Sequence, residues 1–154
     1  MKTTPQALLK MLLVAAASLG LLGCKTLNKP ASASFASVRI QGHTPEQIRA
    51  TAVVVFQQDG YAYSGFKDSQ MVFEKEGSRW DQIAYGSWVN GGGVWVRVRA
   101  SVVPLSGDSY RLQCQAYTVR NKGDPLTEDE VRVKERGSKP YQALLDKVLG
   151  QMKR

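Results

Sequence analysis

Apolar and polar residues alternate with period two through residues 94–103. Val94, Val96, Val98, Ala100 and Val102 fall on one side, and Trp95, Arg97, Arg99 and Ser101 on the other, the pattern of a half-buried strand. Residues 110–120 repeat it, with Leu112, Cys114 and Ala116 against Arg111, Gln113, Gln115 and Tyr117. Ser106-Gly107-Asp108 between them reads as a turn. The register that satisfies both alternations sets Ala100 opposite Cys114, Val102 opposite Leu112, Arg97 opposite Tyr117 and Arg99 opposite Gln115. It needs an odd-numbered loop centred near Gly107, or a bulge at Pro104. Pairing is expected to fail at Pro104, which has no N–H to offer a ladder.

Two stretches carry a helical period instead. Ile48, Ala52, Val55 and Phe56 form one stripe after Thr44-Pro45-Glu46-Gln47, which supplies an N-cap, a proline at the first helical position and a glutamine three residues after the cap. This helix is expected to end near Gln58, with Gly60 as its stop. The β-branched run Val53-Val54-Val55 argues for a strand and is outweighed by the cap and the stripe. Tyr141, Leu144, Leu145, Val148 and Met152 form a second stripe opened by Pro140. Shorter strands are expected at residues 35–40, 61–64 and 70–75, with a possible edge strand at 131–134. Residues 78–89 fit either a helical turn or a strand, and Asn90-Gly91-Gly92-Gly93 reads as a hairpin tip. That glycine run has neither the Gly-Lys-Ser/Thr of a phosphate loop nor the spaced glycines of a dinucleotide turn.

The element order predicts an α+β fold: a single antiparallel sheet of about four to six strands, with both helices packed on one face. This order resembles the TATA-binding-protein-like and helix-grip topologies, and domains of small lipoproteins from outer-membrane assembly machinery are similar to these. The likeness lies in topology alone, and fold does not imply function.

The N-terminus determines compartment. Residues 1–10 carry Lys2 and Lys10 and no acid, and about a dozen mostly apolar residues follow, ending in Leu21-Leu22-Gly23-Cys24. The layout is that of a secretory signal peptide, too short for a spanning helix of about 20 residues. Its end resembles the bacterial lipobox. The resemblance implies cleavage between Gly23 and Cys24, a diacylglycerol thioether on Cys24 and acylation, for instance with palmitate, of the new amine. Lys25 in place of Asp resembles the outer-membrane default of such lipoproteins. The organisation expected is a signal peptide at 1–23, a lipidated cysteine with a small, polar tether at 24–34, and one domain at 35–154. Such a tether sets the domain about 15–20 Å from the lipid, facing the periplasm.

The chain has 154 residues and a formal charge of +8; removing 23 leaves 131, and losing two lysines leaves +6. A basic exported domain is suited to anionic head groups, wall polymer or acidic protein patches, and export argues against nucleic acid. With Cys24 lipidated, Cys114 is the one remaining thiol, read as a small buried hydrophobe. His43 is the only histidine and has no ligand cluster around it. No metal site, cofactor or catalytic residue is expected. The chain has no Gly-x-Ser-x-Gly and no His-Glu-x-x-His.

Two surfaces remain. Helices on the apolar face would leave Trp95, Arg97, Arg99, Gln113, Gln115 and Tyr117 on the opposite face, a composition suited to an interaction patch. Alternatively, Trp95 is covered by the Trp80–Trp88 segment and the arginines are merely solvated. The aromatic stretch Tyr61, Tyr63, Trp80, Tyr85, Trp88 would instead suit a lipid, glycan or small molecule. The expectation is a membrane-anchored, non-enzymatic module with an envelope protein as partner, and a ligand-binding lipoprotein as the alternative.

Overall fold

The computed structural model describes residues 35–78 and 93–153. Its elements are β1 (Ala36–Gln41), α1 (Pro45–Gln58), β2 (Ala62–Lys67), β3 (Gln70–Glu76), β4 (Trp95–Pro104), β5 (Ser109–Arg120), β6 (Asp129–Arg132), a 3-10 turn (Glu135–Gly137) and α2 (Lys139–Met152). All strand pairs are antiparallel, in the order β1-β5-β4-β3-β2. The fold is α+β, as the periodicity predicts. Strand β5 is long enough to hold two partners on one side: β1 along residues 109–114 and β6 along 117–120.

Local chemistry sets the ends of α1. Thr44 Oγ1 accepts from the Gln47 N–H, and Gln47 Oε1 accepts from the Thr44 N–H at 2.9 Å, completing a capping box. At the other end Gly60 has φ +87, its N–H donates to Gln57, and the Tyr61 N–H donates to Phe56. These are the two bonds of a Schellman motif, and the Phe56 and Tyr61 rings meet edge-on at 5.5 Å as its apolar contact. The helix runs through Val53-Val54-Val55.

Both apolar stripes bury against the same sheet face. Ile48, Ala52, Val55 and Phe56 of α1 and Tyr141, Leu144, Leu145 and Val148 of α2 share one core with Val38, Ile40, Met71, Phe73, Val98, Leu112, Cys114 and Ala116. Phe56 stacks on Phe73 with centroids 4.3 Å apart. Burying side chains of this size contributes about 1.5–3 kcal/mol each, and the core is continuous from α1 to β5.

The β4–β5 register is the one the alternation implies: Ala100 faces Cys114, Val102 faces Leu112, Arg97 faces Tyr117 and Arg99 faces Gln115. The loop is odd-numbered and centred on Gly107, whose φ is +68. The expected failure at Pro104 does not occur, because the ladder extends to Pro104 opposite Tyr110. The Leu105 N–H donates to Ser109, so hydrogen-bonded pairs fall on odd residues of β4. The missing N–H of Pro104 therefore points away from β5, on the side where β3 has already ended.

Strand β2 extends past the expected 61–64, reaching Lys67 through a bulge between Tyr63 and Gly65. Asp68 and Ser69, at φ 51 and 63, make a two-residue turn into β3. The residues 1–34 and 79–92, which include Gly23, Cys24, Trp80, Tyr85 and Trp88, lie outside the described residues.

Candidate functional site

The face of the sheet away from the helices carries the charged site. In the register Glu74 of β3, Arg97 of β4 and Tyr117 of β5 form one row, and Val72, Arg99 and Gln115 the next. Strand β6 brings Glu130 opposite Val119. The loop of residues 121–128, with Asn121 at φ 50 and Gly123 at φ 87, folds Lys122 and Glu128 over the same rows.

These groups form an ion-pair network, in which Arg99 Nε and Glu130 Oε1 are buried and have no hydrogen-bond partner among the described residues. Arg97 Nε donates to Glu74 Oε1 at 2.8 Å, and its Nη1 reaches Glu128 Oε1 at 2.7 Å and Glu130 Oε2 at 3.1 Å. Arg99 Nη2 donates to the same Glu130 oxygen at 2.8 Å, and Lys122 Nζ to Glu74 Oε2 at 2.8 Å. Ser64 Oγ also donates to Glu74. Three cations thus face three carboxylates, and the formal charges cancel. Two rings cap the cations: Lys122 Nζ lies 3.8 Å from the Trp95 centroid, and Arg99 Cζ lies 4.8 Å from the Tyr117 centroid. A half-open cleft of about 230 Å³ lies among Ser64, Lys67, Val72, Glu74, Arg97 and Glu128.

The electrostatics suit binding better than proton transfer. Burial alone would raise the Glu74 carboxyl, but hydrogen bonds from Lys122, Arg97 and Ser64 outweigh it and hold the group below the ordinary carboxylate value. Glu128 is lowered by its hydrogen bond from Arg97 and by the Gly123 N–H. A general acid working near neutrality needs the opposite shift. Burial pushes the Cys114 thiol up to about 12, which leaves it unreactive.

All six residues of the expected patch are half-buried on this face. Arg97 and Arg99 are neither bare nor merely solvated; their side chains are 14% and 26% exposed and ion-paired. Gln115 Nε2 donates to the carbonyls of Ala116 and Val133, anchoring the chain beyond β6. Gln113 stands between Ser37 and Ser101 in the register. Of the aromatic stretch, Tyr61 and Tyr63 are described and lie on the helix side of the sheet, while Trp80, Tyr85 and Trp88 lie outside the described residues. Tyr61 is buried in the core and Tyr63 packs on Phe73; Trp95, of the expected patch, is on the opposite, charged face. Among the described residues no group of His, Cys, Asp and Glu could hold a metal ion.

Sequence reasoning missed Glu74, Lys122, Leu126, Glu128 and Glu130. Glu74 had a signal: an acid within the apolar run of β3, on the side away from Phe73. The acidic run at 127–130 was visible, but its docking on β4 was not.

No protein-family model matches the chain, and no curated protein matches it. Among solved structures, the chain is similar to the adenylate sensor from AMP-activated protein kinase in complex with 5-aminoimidazole-4-carboxamide 1-beta-D-ribofuranotide (ZMP). The identity is 13% and the TM-score 0.46, over 73% of this chain and 94% of that chain. A likeness of that size carries no argument about this protein.

Proposed function

We propose that the protein is a lipoprotein of the outer membrane, anchored through Cys24, whose domain serves in the periplasm as a non-enzymatic protein-interaction module. Its contact surface is the charged sheet face together with the 121–128 loop at its rim, and its partner is an envelope protein. The observation that carries this reading is Leu126, 94% exposed at the tip of a loop held on all sides. Asp124 Oδ1 accepts from the Leu126 and Thr127 N–H groups, and Asp124 Oδ2 from the Thr127 hydroxyl. Asn121 Nδ2 donates to the Thr127 carbonyl, and the Gly123 N–H donates to Glu128, itself fixed by Arg97. A leucine presented on a preorganised loop binds without the usual ordering cost. The half-buried Trp95 and Tyr117, each capped by a cation, offer aromatic contact area on the same face.

The test is in-cell crosslinking with a photoreactive residue at Leu126, and with one at Val54 on the exposed side of α1 as the control. The expected result is one dominant envelope protein attached from position 126 and absent from position 54, lost in folded Leu126→Asp. Metabolic labelling with palmitate should mark the wild type and not Cys24→Ser. Reproducible absence of any protein adduct at 126 in a folded domain would overturn the interaction reading, and an unlabelled wild type would overturn the anchor.

A further inference from the structure

The charged face has a second end that the glutamates do not reach. Arg39 of β1 stands directly opposite Arg111 of β5, in one row with Val103 of β4. The Gly42 N–H donates to Asp108, so hydrogen-bonded pairs of this ladder fall on even residues of both strands. Arg39 and Arg111 are therefore a non-hydrogen-bonded pair, the type in which facing side chains stand closest. Like charges so placed repel. The rows on either side hold Gln41 with Ser109, and Ser37 with Gln113 and Ser101. None of these is an acid, and neither arginine makes an ion pair among the described residues.

The pair is also partly built. Arg39 Nη2 donates to Ser109 Oγ at 3.1 Å, and Gln41 Nε2 donates to the same oxygen at 3.2 Å. Ser109 is 4% exposed, so it fixes the Arg39 fork from below. Among the described residues Arg111 Nε is shut off from solvent without a partner, and so is Ser37 Oγ in the adjacent row, on a residue only 3% exposed. At the other end of the same face Arg97 and Arg99 are matched by three carboxylates, whereas here two arginines stand opposite each other and no carboxylate among the described residues pairs with either.

We propose that Arg39 and Arg111 form a binding site for a phosphate group. A phosphate offers several charged oxygens in tetrahedral array, enough to accept from two guanidinium forks at once, and its charge removes their repulsion. A carboxylate can bridge two forks, as Glu130 does for Arg97 and Arg99, but a phosphate brings more charge and a further acceptor oxygen. The site is distinct from the 121–128 rim and does not depend on the protein-interaction reading.

The experiment uses the full-length protein in neutral detergent, with two probes at constant ionic strength: inorganic phosphate and dihexanoyl phosphatidylglycerol below its micelle concentration. The readouts are the thermal midpoint and the Nε–Hε signals of Arg39 and Arg111. The expected result is a saturable rise in midpoint with movement of both signals, weakened about tenfold or more in apparent affinity by Arg39→Gln. In chloride alone Arg39→Gln should raise the midpoint, because it removes one of two facing like charges. Arg39 is exposed, so this variant tests the site even where Arg111→Gln fails to fold. A response to the lipid alone identifies a phospholipid head group as the source, and a response to inorganic phosphate alone identifies a soluble phosphate. No response to either probe, or one that Arg39→Gln leaves unchanged, overturns the proposal.

Discussion

Arg97 faces Glu74 across the β3–β4 ladder, and its Nε donates to Glu74 Oε1 at 2.8 Å, with side chains 14% and 10% exposed. The pair is nearly dry, so its two halves depend on each other. Removing one partner leaves the other charge poorly solvated, which costs several kcal/mol for fully buried pairs. Some water still reaches this one, so Arg97→Met should cost about 2–3 kcal/mol. Arg97→Met with Glu74→Leu should recover only part of that loss, since Glu128 and Lys122 each lose a partner in the double variant. Urea denaturation of the four proteins in a double-mutant cycle measures the coupling, and strict additivity would show that the pair is not a unit.

The same glutamates predict an acid sensitivity. Glu74 and Glu128 are held below the ordinary value of 4.5 in the folded protein. Their contribution to stability is therefore complete above about pH 4.5 and is lost as pH falls through the lowered folded values. The stability of the wild type should decline below that point, by up to about 1.4 kcal/mol per pH unit for each proton taken up. Glu74→Gln should flatten that part of the curve. Chemical denaturation from pH 3 to pH 6 makes the comparison, and parallel curves for the two proteins would contradict it.

Gln142 of α2 protects the outer edge of β1. Its Oε1 accepts from the Ser37 N–H at 3.0 Å, and its Nε2 donates to the Ser37 carbonyl at 3.1 Å. One side chain thus does for this edge what a further strand would do, and it closes a template for unwanted pairing. Gln142→Ala should cost about 1–2 kcal/mol, and amide exchange at Ser37 should accelerate. Unchanged exchange would mean that α2 shields the edge without this contact.

Cys114 is buried, and its thiol is pushed up to about 12. In the folded protein at pH 8 it should alkylate with iodoacetamide about 100-fold or more slowly than in urea. Fast native alkylation would show that the helices part readily from the sheet over Cys114.

How far the chain could be read depended on the range of each interaction. The two caps of α1 use residues no more than five apart, and each is spelled out in Thr44-Pro45-Glu46-Gln47 and in Phe56 through Tyr61. The β4–β5 register follows from two alternations and a turn, because a slip of one residue would turn every valine to solvent. Pro104 was misjudged because its effect depends on which way its nitrogen points, and that parity is set by the Leu105–Ser109 bond. The short β2 was cut short because its alternation is broken by the bulge at Ser64.

By itself, then, the sequence determined the local elements, the apolar face of each and the residues that would share the other face, since backbone periodicity and capping act over a few residues. Tertiary structure alone decided how that face is used. Arg97 meets Glu128 across 31 positions of sequence and Gln142 meets Ser37 across 105, and no local pattern encodes such pairings. The long β5, with β1 and β6 sharing one side, placed Glu130 beside Arg99 at one end and Arg39 against Arg111 at the other. Whether a guanidinium is neutralised or left open depends on which strands become neighbours, and only the packed sheet makes that choice.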